Sequence, residues 1–470
     1  MLVLGAKLPY LVLKFTKLQA MAIPDFKWTM ESGAGATTNE NRRTAIVEGS
    51  WFYQFRCGPN PWMARYVYGF IFLITTFIAW AVRDYGHFAL KEISALEGCQ
   101  GVGECLGAEG VLRVSLGCSL FYFIMFISTV GTLKMYGPRD MWQSGWWYSK
   151  FLLWLALILV PFWFPPAIIQ LYAEVAHFGA GVFLLIQLIS VISFIGLINE
   201  LFHTEKDAER CHVQEMFLAT AAYVVSLLGI ISMYIWYAPE SSCLLNIFFI
   251  SWTLVLLQLM TSVSLHPKVN AGILTPGLMG LYVVFLCWCA IRRHGLFALT
   301  VSGCVFLALI FCLNILTSIV FCSEPPGDHC NRNAEDTSNK TDWLTIITFI
   351  IAILALVIAT FSTGIDSKCF QFRKDDPQED DVPYGYGFFH FVFATGTMYF
   401  AMLLIGWNTS HPMKKWTIDV GWTSTWVRIV NEWLAVCVYG KLSSMDAHST
   451  NNTEEETSRI TYMRNSREVF

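Results

Sequence analysis

Apolar runs long enough to cross a bilayer alternate with short polar loops at least ten times between Tyr66 and Lys441. A hydrocarbon core about 30 Å thick takes roughly 20 helical residues. Runs 66–82, 114–133, 151–165, 167–202, 216–237, 243–265, 272–291, 342–363, 386–406 and 421–440 meet that need with few charges. The pattern predicts an all-α integral membrane protein of about ten transmembrane helices, with no soluble catalytic domain. Pro165-Pro166 closes the third run, since proline extends an existing helix poorly. After it, 167–202 reads as one helix of about 36 residues, or roughly 54 Å. A helix of that length must tilt strongly or protrude. Lying diagonally, it divides the other spans into two bundles and leaves a groove between them.

Basic residues set the orientation. Arg42, Arg43, Arg56 and Arg65 precede the first span. With that end cytosolic, alternate loops carry Lys134, Arg139 and Lys150, then Lys206 and Arg210, then Lys268, as the positive-inside rule requires. Lys414 and Lys415 fall on the other side. Composition agrees: 55% of the 470 residues are hydrophobic and 14% charged, against about 25% charged in a soluble domain. The net charge of −4 argues against a nucleic-acid partner. Trp62, Trp146, Trp236 and Trp422 sit at span ends, where indole rings anchor at headgroups.

The chain divides into an N-terminal extension expected to be disordered (1–50), a polytopic membrane domain (51–441) and a polar tail expected to be disordered (442–470). Among the 14 cysteines, Cys118, Cys287, Cys289 and Cys437 lie inside spans as small apolar residues. Cys99 and Cys105 sit in a glycine-rich loop that the topology makes exoplasmic, and are a disulfide candidate. Asn339-Lys340-Thr341 is a glycosylation sequon on the same side. No metal spacing or cofactor motif is present, so none is expected.

Ionisable or polar groups inside spans are costly and each needs a reason. Glu174, His177 and Gly181 share a face of the long helix, either as a polar notch for lipid headgroups or serine, or as a hydrogen-bonded pair near the interface. Gln187 lies deeper, lining the groove or bonding a neighbouring helix. Ser262, Ser264 and Lys268 form a polar cluster at a span end, able to meet a phosphate or simply to anchor the span. Arg428 and Glu432, four apart on the last span, read as a structural ion pair. His390 reads as a satisfied buried histidine. No catalytic triad, carboxylate pair or phosphate-cradling loop appears, so an enzyme reading lacks a site.

The strings E-G-V-L-R-V-S-L-G-C (109–118), G-V-F-L-L-I-Q-L-I-S (181–190), L-Q-L-M-T-S-V-S-L-H-P-K-V (257–269), Y-G-F-F-H-F-V-F-A-T-G-T-M-Y (386–399) and G-W-T-S-T-W-V-R-I (421–429) resemble the serine incorporator family. The resemblance is collinear from about Trp51 to Lys441 and closest to the plant members. It implies ten helices in two bundles joined by a long crossing helix. It also implies a role in supplying serine for phosphatidylserine and sphingolipid synthesis, or in non-selective lipid scrambling, in the endomembrane system or plasma membrane. The sequence departs from the family pattern twice. Family members run from A-I-R directly into S-E-P-P, whereas here 293–322 intervenes with an apolar run of its own. That segment reads as a retained intron or gene-model error, or alternatively as a genuine extra helix. Family-like sequence begins near Met30, so 1–29 reads as an upstream artefact or extension.

Expected partners are membrane phospholipids, serine, serine-using lipid synthases and a second copy of the chain. Alternatives to lipid handling are a secondary transporter of serine, for which no convincing internal repeat is visible, and an accessory scaffold for those synthases. A transferase would need a catalytic constellation.

Overall fold

The computed structural model describes residues 61–86, 105–132, 137–203, 208–238, 243–267, 272–291, 343–365, 384–407 and 423–441, with single positions 134, 269, 382, 415, 416 and 418 between them. The expectations for 1–50, 293–322 and 442–470 therefore lie outside the described residues. So do those for Cys99, Lys268 and Asn339, and nothing is described of the Cys105 side chain.

The helices, in chain order, are α1 (Pro61–Tyr85), α2 (Cys105–Thr129), α3 (Pro138–Ser144), α4 (Trp147–Leu159), α5 (Pro166–His203) and α6 (Ala208–Tyr237). They are followed by α7 (Leu244–Ser264), α8 (Leu274–Ile291), α9 (Trp343–Ile365), α10 (Tyr386–Ile405) and α11 (423–441). Each predicted run coincides with one of them. Among the described residues, seven helices are long and apolar enough to cross a membrane, and α3 with α4 makes an eighth if that pair, bent by 68°, is one span, against the ten runs of the hydropathy pattern. The protein is thus an all-α, multi-pass integral membrane protein.

Several boundaries differ from the hydropathy reading, α6 starting at Ala208 rather than 216. α2 starts about two turns earlier than 114, because Glu109 and Arg113 pair with each other on one face of the helix. α3 is a short helix where the pattern showed only loop. Its Asp140, Gln143 and Ser144 are buried, so polarity there marks a polar interior rather than exposure.

The side chains form two cores. Tyr68, Phe72, Phe121, Tyr122, Phe393 and Phe400 of α1, α2 and α10 pack with Ile353 of α9 and with Tyr172 and Ala176 from the first half of α5. The second core joins Leu188 and Ile195 from the far half of α5 to Ala219, Phe249, Leu257, Val283 and Val436 of α6, α7, α8 and α11. α5 is 38 residues long, about 57 Å, and changes core between Ala180 and Leu188. At the change, Phe183 and Ile186 meet Val392 of α10, and Phe183 stacks on Tyr399 with centroids 5.0 Å apart. Two bundles sharing one long helix follow from this arrangement.

Burying apolar area drives little between helices already in lipid, so close packing and hydrogen bonds hold them together. Phe72 meets Phe393 and Phe400 edge-on at 5.3 and 5.6 Å. Gly117 lets α2 approach α4 so closely that a methyl group there would overlap the Leu157 carbonyl.

Candidate functional site

The crossing helix carries the residues that the sequence singled out, and it separates them. Glu174 is exposed, and none of the described residues gives it a hydrogen bond. His177 turns inward instead of pairing with it. Its Nδ1 lies 2.7 Å from the Ala173 carbonyl oxygen and its Nε2 3.3 Å from that of Trp407, with the Trp407 ring alongside at 6.1 Å. The imidazole thus ties α5 to the end of α10. Gly181 is half-exposed, and a Cβ there would meet nothing within 4 Å. A close approach occurs two residues earlier instead, where Gly179 packs against Met398. Residues 174, 178, 181 and 185 recur at helical spacing. Glu174, Phe178 and Leu185 are exposed, so this is an open, mostly apolar stripe with one carboxylate and one gap. Gln187 sits roughly 120° round the helix from Gly181, half-buried and without a hydrogen-bond partner among the described residues.

The polar cluster at the end of α7 also divides. Ser262 is exposed and donates to its own helix at the Gln258 carbonyl, 2.8 Å away. Ser264 is buried and donates to the Gly272 carbonyl at 2.9 Å, tying the end of α7 to the turn before α8. Thr261 meets the Tyr223 hydroxyl of α6 at 2.9 Å. On α11, one oxygen of Glu432 is 2.8 Å from the Thr253 hydroxyl of α7, and the other has no hydrogen-bond partner among the described residues. Arg428, one turn earlier, is half-buried.

The strongest polar structures went unrecognised in the sequence. Lys150, counted there as a cytosolic loop charge, is fully buried. Its ammonium donates to the Gln143 carbonyl at 3.0 Å and to the Trp142 carbonyl, capping the free C-terminal carbonyls of α3 across the bend. The rings of Trp147, Trp142 and Tyr68 surround it at 4.5, 5.1 and 5.4 Å. Trp146, at the bend, is held left-handed at φ 57°. The Gln143 side chain then receives His390 Nε2–H at 2.8 Å, and Tyr386 donates to Asp140 at 2.7 Å. Among the described residues, His390 is therefore satisfied at one nitrogen only, Nδ1 being buried without a hydrogen-bond partner. Burial pushes the hydroxyl of Tyr384, beside this knot, above the usual tyrosine range.

A second knot lies at the opposite end of the same bundle. Arg113 binds Glu109 and donates to the carbonyls of Pro161 and Phe164 at 2.5 and 2.9 Å. Nearby, Arg83 pairs with Asp84 at 2.7 Å and reaches the Leu404 carbonyl at 2.9 Å. The only sequence signal for these was the rarity of charge so close to apolar runs.

These groups bond to one another and to backbone. Among the described residues, no group of three or more His, Cys, Asp or Glu side chains is placed to hold a metal ion.

The family model described as serine incorporator (Serinc) matches residues 54–376 and 366–442. A probable serine incorporator of Nematostella vectensis is 24% identical over 369 residues, covering 73% of this chain and 79% of that protein. One from Dictyostelium discoideum is 24% identical over 372 residues, 73% of this chain and 81% of its own. Serine incorporator 3 of Bos taurus is 21% identical over 427 residues, 81% of this chain and 90% of its own. With a family match running through the membrane domain from α1 to α11, this chain belongs to the serine incorporator family.

Proposed function

We propose that this protein handles membrane lipids, letting headgroups pass along the outer stripe of α5 while the acyl tails stay in the bilayer. The observation that carries this reading is the open position at Gly181, where a Cβ would meet nothing within 4 Å, close to where the helix leaves one core for the other. Glu174 offers a headgroup ammonium one electrostatic contact about two turns away. Exposed Phe178 and Leu185 keep the rest of the path apolar. The arrangement supports passage better than chemistry, because the polar groups do not converge on a reacting atom.

A second reading, handling of serine itself, is favoured by the name that the relatives share. In this chain it would supply serine for phosphatidylserine and sphingolipid synthesis, as a transporter or as a scaffold for the synthases. Glu174 and Gln187 are the polar groups on α5 that serine could meet.

One experiment separates the readings. The purified chain in liposomes is assayed in parallel for dithionite quenching of labelled lipids and for radiolabelled serine uptake. Lipid movement without uptake is the expected outcome, and serine uptake without lipid movement sinks the lipid proposal.

A further inference from the structure

Glu432 lies midway along α11, 1% exposed, among side chains of the second core. The Thr253 hydroxyl is 2.8 Å from the Phe249 carbonyl on its own helix and 2.8 Å from Glu432 Oε1. A threonine hydroxyl has one hydrogen and cannot donate fully to both oxygens. If that hydrogen goes to Phe249, the usual bond to the carbonyl one turn back, the contact with Glu432 needs a hydrogen of its own, and the carboxyl is its remaining source. If it goes to Glu432, two acceptor oxygens are left facing each other along α7. A neutral carboxylic acid satisfies both distances.

The other oxygen makes the same point. Oε2 is buried without a hydrogen bond, which a carbonyl oxygen of a neutral acid tolerates far better than half of a carboxylate. Among the described residues, no group hydrogen-bonds that oxygen. From α8 the Cys287 thiol lies within electrostatic reach, and Tyr282 approaches Asn431 rather than the acid. From α7 the facing group is Thr253. From α6, Tyr223 faces Tyr439, two turns further along α11. On α11 itself Arg428 stands one turn away, and it does not hydrogen-bond the free oxygen.

We propose that Glu432 is a proton-binding site inside the second bundle: it rests as the neutral acid, donates its proton to Thr253, and on losing that proton unseats α11 from α7. The inference is independent of lipid passage along α5. It makes the packing of the second bundle sensitive to pH in one direction only, tight when protonated and loosened when the proton leaves.

Infrared spectroscopy of the purified full chain tests it directly. At neutral pH the wild type should show a neutral-acid carbonyl band that Glu432→Gln removes. Thr253→Val should keep the band but move it to higher frequency, because the acid loses its hydrogen-bond acceptor. Raising the pH should abolish the band and lower the unfolding temperature of the wild type while leaving Glu432→Gln unchanged. If Glu432→Gln removes only carboxylate intensity, the proposal is overturned. Should that variant not fold, the wild type still decides the matter through dicyclohexylcarbodiimide, an apolar reagent selective for protonated acids in membranes. The acid proton passes to a carbodiimide nitrogen and the carboxyl oxygen adds to the central carbon. Acyl shift to nitrogen then leaves a stable N-acylurea, with nothing expelled. Mass mapping should find that adduct on Glu432 at neutral pH, and an unmodified Glu432 overturns the assignment.

Discussion

The two bundles are held by different forces. In the first, charged groups are buried at both rims and spend their bonds on backbone carbonyls: Arg113 on Pro161 and Phe164, Arg83 on Leu404, Lys150 on Trp142 and Gln143. In the second, interhelical bonds among the described residues join uncharged groups, Tyr223 to Thr261 at 2.9 Å, Tyr234 to Ser251 at 2.7 Å and Asn246 to the Tyr237 carbonyl at 2.8 Å. The Thr253–Glu432 contact joins them as the neutral acid proposed above. A hydrogen bond to a charged group contributes about 1.5–3 kcal/mol, and a neutral interhelical bond in a membrane averages about 0.6 kcal/mol. The first bundle is therefore a fastened block. The second is packed, and free to adjust against it. α5 contributes side chains to both cores.

The contrast can be broken most directly at Arg113. Arg113→Ala strands Glu109 and two carbonyls, and should cost about 3–5 kcal/mol, as loss of one partner from a buried pair does. Denaturant unfolding of the purified chain measures it. Should Arg113→Ala cost no more than a hydroxyl deletion in the second bundle, the distinction collapses. Lys150→Met comes next. The thioether fills the aromatic enclosure but cannot cap α3, so about 1–3 kcal/mol should be lost through unsatisfied carbonyls. The α3–α4 bend should also become more accessible to protease.

Tyr234→Phe sharpens the comparison from the other side, with an expected loss of only about 0.6 kcal/mol in the same unfolding assay. The smallest effect on stability belongs to the stripe. Gly181→Leu meets open space and should leave unfolding unchanged while slowing lipid movement in proteoliposomes. Gly117→Leu, by contrast, collides with the Leu157 carbonyl and should impair folding. If Gly181→Leu leaves lipid movement at the wild-type rate, the stripe is not the path. Glu174→Ala should slow movement only in part, while Gln187→Leu and Ser262→Ala, which lie off the stripe, should leave it unchanged. A catalytic base would instead be worth a factor of about 10²–10⁴, so abolition by a single one of these changes would point to a site rather than a path.

Hydropathy located α1, α2 and α4 to α11 because a bilayer imposes one length and one polarity on whatever crosses it. The length of 167–202 carried the division into two bundles, since a helix that long cannot stand upright in a bilayer. The site was less legible. Glu174 and Gly181 were correctly placed on one face by helical spacing alone. His177 could not be read, because its partner is a carbonyl 230 residues away. Lys150 was misread for a similar reason: a lysine at a span end looks like a loop anchor unless Trp142, Trp147 and Tyr68 are known to enclose it.

What the sequence determined by itself was whatever depends on a segment's own solubility: the class, the spans, their order and the anomalous length of α5. Tertiary structure decided which polar groups are buried and which face lipid. Apolar periodicity records that a helix must be shielded from water. It does not record whether another helix or a lipid does the shielding, because leucine at either surface has nearly the same transfer free energy. Only the packing puts Arg113 among carbonyls, leaves Gly181 open and seats Glu432 beside Thr253.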